Sequence, residues 1–362
     1  MKALKTIASL VCLGLVAATQ TQAQTPALSA ATGAEKDRIA GLVADAAREG
    51  KLTYWDTVMQ PATKNALQAS FVEFYGLPKG FQIEFSEIAP SNMITRLEQE
   101  AKAGRATVDV AAVASPIWVA AQARAGALMK YNSPEYANYS MVADAGLVEP
   151  GSYAFNGAYV FVPLWDPEKL KVAGDSWNDA IAAAQEGRVS VGNGAASDAT
   201  IMTYIGLRTA MGKDYVAKLA AKKPVFIPKS ETIASRVVTG EDTMAFMGMP
   251  TRAYQLNQKG AKLSYLLPKE GVTLLPQNFF ILANATHPAA AKLWFDFILS
   301  EKGQKIIVEK EAMISGRNHF VSPIPDYAPQ IDKLHLVHID WNKMTPEDLQ
   351  AARREWMDLF KQ

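Results

Sequence analysis

Lys51-Leu-Thr-Tyr-Trp55, Gln82-Ile-Glu-Phe-Ser86 and Val108-Asp-Val-Ala-Ala-Val113 are apolar or alternating runs of strand length, and helical patterns fill the gaps between them. The first gap holds Ala62 to Tyr75, closed by Gly76 and Pro78. The second holds Asn92 to Ala103, with Ser91 as its expected cap and Gly104 at its end. Strand, helix, strand, helix, strand in this order predicts a parallel sheet covered by helices, with right-handed crossovers. Upstream, Ile39, Leu42, Val43 and Ala46 recur at helical spacing behind a small, polar stretch, 24–33, that reads as a tail.

The middle of the chain repeats this logic. Ala158 to Pro163 reads as an apolar strand broken by Trp165-Asp-Pro167, and Trp177 to Glu186 as a short helix. Val189-Ser-Val-Gly192 opens a new strand-to-helix unit, with Asn193-Gly-Ala-Ala-Ser197 as its turn and Ala199 to Ala210 as its helix. Val225 to Pro228 and Thr243 to Met247 are further short strands. A strand over Asn278–Ala283 follows, then helices over Pro288–Leu299, Glu301–Lys310 and Thr345–Phe360, the last opened by a capping threonine and Pro346. The fold class expected is α/β.

A chain of 362 residues, 49% of them hydrophobic, is long enough for two cores rather than one. The 37 Lys and Arg residues against 36 Asp and Glu leave no global field that would favour nucleic acid. Lys2 and Lys5 precede an apolar run, Ile7 to Ala18, and Thr21-Gln-Ala23 follows as a small-residue cleavage site, so residues 1–23 read as an export signal. The run is too short for a membrane anchor, which needs about 20 apolar residues. Cys12 lies inside it rather than after it, so a lipid anchor is not expected. Cleavage would remove that single cysteine and two lysines, changing the balance from 37 − 36 to 35 − 36.

Ligands of open parallel sheets gather outside the carboxyl ends of the strands, where loops meet helix starts. Three turns meet that rule. Tyr54, Trp55, Asp56 and Thr57 follow the first strand and combine aromatic surface with carboxylate and hydroxyl groups, although inward packing and turn capping would also account for them. Ser115 follows the third strand, as a hydrogen-bond donor or as a helix cap. Gly194-Ala195-Ala196-Ser197 precedes a helix with little side-chain bulk, so its backbone can approach an anion, while Asp198 suits the helix dipole. Arg252 and Arg317 are candidates for gripping a carboxylate or phosphate, and Arg236 a weaker one. His287, His319, His335 and His338 lack metal-ligand spacing, so no metal or cofactor is expected. The chain has no glycine-rich nucleotide turn, nucleophile elbow or zinc-protease helix. A binding module therefore explains the pattern with fewer requirements than an exported enzyme.

Leu52-Thr-Tyr-Trp55, Val108-Asp-Val110, Tyr159-Val-Phe-Val-Pro163 with Asp166-Pro-Glu-Lys-Leu170, Gly194 to Asp198, Phe280 to Leu282 and Ala290 to Gln304 together resemble the periplasmic solute-binding proteins of ABC importers. The resemblance is to the type 2, ferric-binding-like cluster, and it spans roughly residues 50–320. It implies the type II periplasmic binding protein fold: two α/β lobes around a ligand cleft, joined by two crossing strands. Residues 34–157 and 275–362 would form lobe 1, and 158–274 lobe 2. It further implies a monomer in the periplasm that closes on a small-molecule solute and delivers it to an inner-membrane ABC permease. Ferric members carry two neighbouring tyrosines after the strand represented here by Thr243 to Met247. This chain has Pro250 and Thr251 near that register and Tyr254 alone further on. The expected solute is therefore a small organic anion, with iron and a thiamine- or polyamine-like cation as alternatives.

Overall fold

The computed structural model describes residues 25–361 apart from Ala145 and Asp340, so the expected export signal, with Cys12, lies outside the described residues. On the first lobe the order is α1 (Pro26–Ala30), α2 (Gly33–Glu49), β1 (Lys51–Asp56), α3 (Pro61–Tyr75), β2 (Gln82–Glu87), α4 (Pro90–Lys102), β3 (Val110–Val113), α5 (Pro116–Arg124), α6 (Ser140–Asp144) and β4 (Tyr153–Tyr159). The second lobe carries β5 (Val162–Trp165), α7 (Trp177–Ala183), β6 (Val189–Gly192), α8 (Asp198–Met211), α9 (Lys213–Ala221), β7 (Val225–Ile227), α10 (Ser230–Thr239), β8 (Met244–Gly248), α11 (Pro250–Asn257) and β9 (Ser264–Tyr265). The chain returns through β10 (Leu275–Ile281), α12 (Pro288–Leu299), α13 (Glu301–Glu311) and α14 (Pro346–Phe360).

Each lobe is built on a five-stranded mixed sheet, in the orders β2-β1-β3-β10-β4 and β7-β6-β8-β5-β9. The two orders are equivalent. In each, a parallel trio (β2-β1-β3, β7-β6-β8) meets an antiparallel strand, β10 or β5, that arrives directly from the other lobe. The chain changes sheet between Tyr159 and Val162 and returns between Tyr265 and Leu275. The apolar run Ala158–Pro163, expected as one strand, is thus split between two sheets. Periodicity registers an extended apolar run but not the point at which it changes partners.

Both faces of the first sheet are covered. Tyr54 packs on one side among Phe85, Phe279 and Trp294, and its neighbour Trp55 on the other with Met93, Leu97 and Val113. Period-2 alternation sends adjacent side chains to opposite faces, and here both faces are interior. Three further expectations are revised. Of the stretch 24–33, the described residues 25–33 are not a tail, since α1 packs on α3 and buries Ala27 and Leu28. Helix α4 starts earlier, at Pro90 with Ala89 as its N-cap, which places Ser91 inside the first turn. The end of the return does not stay on lobe 1: α14 packs on α8 and α9, because its apolar stripe Leu349, Ala352, Trp356 and Phe360 fits against Tyr204 and Phe226 of lobe 2. Its start follows the sequence signals, with Thr345 and Asp348 forming a capping box. Among the described residues no helix is long and apolar enough to cross a membrane.

Candidate functional site

A cavity of about 930 Å³ lies between the lobes, and corresponding loops of the two sheets wall it. Lobe 1 contributes Thr57 after β1, Ile88 after β2 and Ser115 after β3. Lobe 2 contributes Asn193 to Asp198 after β6 (Gly194 excepted), Pro228 to Glu231 after β7, and Met249 and Arg252 after β8. Tyr159 and Phe161, at the first crossing, also line it. Because every parallel strand points its carboxyl end at the cavity, the helix that follows most of them starts there. The N-cap residues of α4, α5, α8, α10 and α11 (Ala89, Ser115, Ser197, Lys229 and Met249) all border it. Only Ser197 caps its own helix with its side chain, accepting from Thr200 N at 3.2 Å. Convergent helix starts with few side-chain caps favour a bound negative group.

Arg252 borders this cavity although it is only 3% exposed. Its Nη1 donates to Gln255 Oε1 at 2.8 Å, its Nε to Ser230 Oγ at 3.3 Å, and its guanidinium stands 3.5 Å from Glu231. Burial, then the charge of Glu231, pushes the Glu87 carboxyl on lobe 1 above the usual carboxylate range, against the pull of Arg252 and Lys229. At the cavity, hydrogen bonds reach from lobe 1 to lobe 2: Gln60 Nε2 donates to Glu231 at 3.0 Å, and Ser115 Oγ to Asp198 Oδ2 at 2.5 Å. Arg353 from α14 donates to the other oxygen of Asp198. Apolar surface comes from Ile88, Ile94 and Trp118 on one side, and Ile227 and Met249 on the other. A buried arginine, helix starts and an apolar wall can hold a small molecule with an anionic head and a less polar body.

Of the residues nominated from sequence, Thr57, Ser115, Ala195, Ala196, Ser197 and Arg252 come together around the cavity. Tyr54, Trp55 and Asp56 do not. Asp56 is fully buried and accepts from Tyr54 Oη, from Val58 N and Met59 N at 2.7 and 2.8 Å, and from Asn156 Nδ2 and Gln277 Nε2, each at 3.0 Å. With so many donors from its own lobe it holds the loop after β1 in place, and burial pushes its carboxyl upward. Trp55 is covered by Arg96, whose guanidinium lies 4.2 Å from the ring centre. Gly194 is small for another reason than ligand approach: a Cβ there would stand 2.4 Å from the Trp356 indole nitrogen. Ala195 and Ala196 border the cavity, but their amides turn back onto Asn193. Arg317 lies elsewhere, paired with Glu135 and donating to the Leu299 carbonyl at 2.7 Å.

Sequence reading missed Glu87, Trp118, Glu231 and Arg353. The first ends β2 and the third follows β7, so the strand-end rule applied to every strand would have found them. Among the described residues no group of three or more His, Cys, Asp or Glu is placed to hold a metal. Tyr159 is the one tyrosine among the described residues lining the cavity, and Tyr254 donates to the Glu309 carbonyl at 2.9 Å.

The substrate-binding protein of an ABC transporter from Agrobacterium tumefaciens superposes with a TM-score of 0.74 at 12% identity, over 86% of this chain and 94% of that one. The periplasmic binding protein AfuA from Actinobacillus pleuropneumoniae, solved with fructose-6-phosphate bound, gives 0.68 at 17% identity, over 86% and 98%. Iron-bound HitA from Pseudomonas aeruginosa gives 0.64 at 19% identity, over 86% and 98%. At such identities the likeness is one of fold. No curated protein matches the sequence at a significant level. The sequence does match the bacterial extracellular solute-binding protein family over residues 107–334, from the strand before Ser115 through both crossings and the whole second lobe. With well over half its length matched, the chain belongs to the bacterial extracellular solute-binding proteins.

Proposed function

We propose that the protein is the periplasmic receptor of an ABC importer, that its solute is a small organic anion bearing a carboxylate or phosphate, and that it passes this solute to an inner-membrane permease. Capture is by hinge bending at the two crossings, residues 160–161 and 266–274, with no covalent step. The observation that carries the anion reading is Arg252, a buried guanidinium bordering the cavity amid five helix N-termini. An anion entering there meets fixed donors whose hydration is already lost, so little reorganisation opposes binding. The apolar wall at Trp118, Ile94 and Ile88 takes the role first assigned to Tyr54 and Trp55, receiving the rest of the solute. Iron is disfavoured by the single cavity tyrosine. Glu87 and Glu231 favour the second reading, a cationic solute, and the test separates the two.

The test is a thermal-shift series on wild type and Arg252→Ala, with sugar phosphates, short carboxylates, amines and ferric citrate as probes. A solute that binds only the folded state raises stability by about 2.7 kcal/mol at a hundredfold excess over Kd. An anion is expected to stabilise the wild type and to lose on the order of tenfold to a hundredfold in affinity in the variant, from about 1.5–3 kcal/mol for a charged hydrogen bond. Equal affinity in both proteins removes Arg252 from the site; stabilisation by amines alone replaces the anion with a cation.

A further inference from the structure

Helix α14 lies beyond the family-matched residues 107–334, yet Pro346, Leu349, Gln350 and Arg353 from it line the cavity. We propose that Arg353 is a positioning residue for solute capture: it holds Asp198 where Ser115 of the opposite lobe can reach it, so that α14 sets the strength of a clasp across the cleft.

The geometry divides the Asp198 carboxylate between the lobes. Oδ1 accepts from Arg353, which also donates to the Gly194 carbonyl, and Oδ2 accepts from Ser115 Oγ at 2.5 Å. The Arg353 side chain is 12% exposed and that of Asp198 18%, so the pair is sheltered from the screening that weakens surface ion pairs. Ser115 shows that the bond is more than an ion pair within lobe 2. It stands at the N-cap of α5, where a serine ordinarily accepts from its own helix, and it makes no such bond. Its hydroxyl is turned to the other lobe instead.

Arg353 is fixed to lobe 2 by its own helix. Trp356, one turn on, is fully buried over Gly194 and packs edge-on to Tyr204, while Glu355 pairs with Arg208 and with Lys213 at 2.8 Å. Asp198 is the first residue of α8. With Arg353 anchored, one oxygen is held and the second is left facing Ser115. When the lobes separate, of these two contacts of Asp198 only the one to Ser115 breaks, and Arg353 keeps Asp198 set for the next closure. The clasp therefore acts on closure whatever the solute.

The proposal rests on the closing two-lobe receptor described above but not on the charge of the solute, so it is tested without one. Spin labels at Lys102→Cys on lobe 1 and Lys218→Cys on lobe 2, both exposed positions, report the interlobe distance distribution of the ligand-free full chain. Ser115→Ala, Asp198→Asn and Arg353→Ala are each expected to lower the closed-to-open ratio on the order of tenfold, which is about 1.4 kcal/mol. Arg353→Ala with Ser115→Ala is expected to open the protein no further than either alone, and Arg353→Lys to restore part of the closed population. Additive opening in the double variant, an unchanged distribution in Arg353→Ala, or a wild type with no closed population overturns the proposal. If Arg353→Ala does not fold, Arg353→Lys and Asp198→Asn against Ser115→Ala supply the same cycle. Failure here leaves the thermal-shift result for anions untouched, and the converse holds.

Discussion

The two lobes share one sheet order but treat the loop after the middle strand of their parallel trio, β1 or β6, in opposite ways. In lobe 1 the chain leaves β1 through Asp56, whose carboxylate draws in the amides of Val58 and Met59 and the side-chain amides of Asn156 and Gln277. Thr57 and Val58 are left at the cavity wall, and the Thr57 hydroxyl accepts from Gln277 at 2.8 Å. In lobe 2 the chain leaves β6 through Gly192, where a Cβ would meet Thr200 Oγ1 at 2.2 Å, and it carries no buried carboxylate to gather donors. The turn after it faces outward, and Ala195 to Thr200 border the cavity. A polar residue at a strand end serves the fold when its own lobe satisfies it, and serves a ligand when it does not. Lobe 1 thus supplies an apolar wall, whereas lobe 2 supplies Arg252 and the α8, α10 and α11 starts on which the anion proposal rests.

This contrast gives three stability predictions, in falling order of effect. Trp356→Ala removes the anchor between α14 and lobe 2 and is expected to cost about 3–5 kcal/mol in urea unfolding, typical for a large aromatic truncated in a core. A cost near zero would mean that α14 is not part of lobe 2. Asp56→Asn is expected to cost about 1–3 kcal/mol by leaving donors poorly matched. Its pH dependence has a definite sign. Burial holds the folded carboxyl above its ordinary value of 3.8, so the unfolded chain gives up this proton first as pH rises. The stabilisation from this group is complete below 3.8 and declines as pH passes through the raised folded value. The variant has no such proton, so its deficit against wild type should be widest in acid and narrow toward neutral pH. A deficit that widens instead would show an ionised Asp56 stabilised in the fold. Arg317→Met is the smallest, about 1 kcal/mol or less for a half-buried pair with Glu135, with solute affinity unchanged. Loss of solute binding in that variant would return Arg317 to the site.

Strand-end logic made Ser115, Ser197 and Arg252 legible before any coordinates, because a capping residue or a cation after an apolar strand has few places to go. The same logic misplaced Tyr54, Trp55 and Asp56. In a sheet covered on both faces, alternation sends every side chain of the strand indoors, and a one-dimensional pattern cannot show whether a carboxylate will meet enough donors there. Gly194 was noticed for its size, but what approaches it is Trp356, 162 positions later in the chain. Arg353 carried no signal, since it belongs to an amphipathic helix whose docking partner is decided by tertiary packing alone. The first crossing lay within a legible apolar run, but the run Ala158–Pro163 did not reveal that two sheets divide it, and the second, with Lys269 and Glu270 in it, formed no such run.

The most direct measurement of the receptor account is native mass spectrometry of the freshly exported protein, wild type beside Arg252→Ala, with the released small molecule weighed and fragmented. The account predicts a single bound species carrying a carboxylate or phosphate in the wild type and its loss in the variant. A bound amine or ferric ion, or an anion retained equally by both proteins, would contradict it.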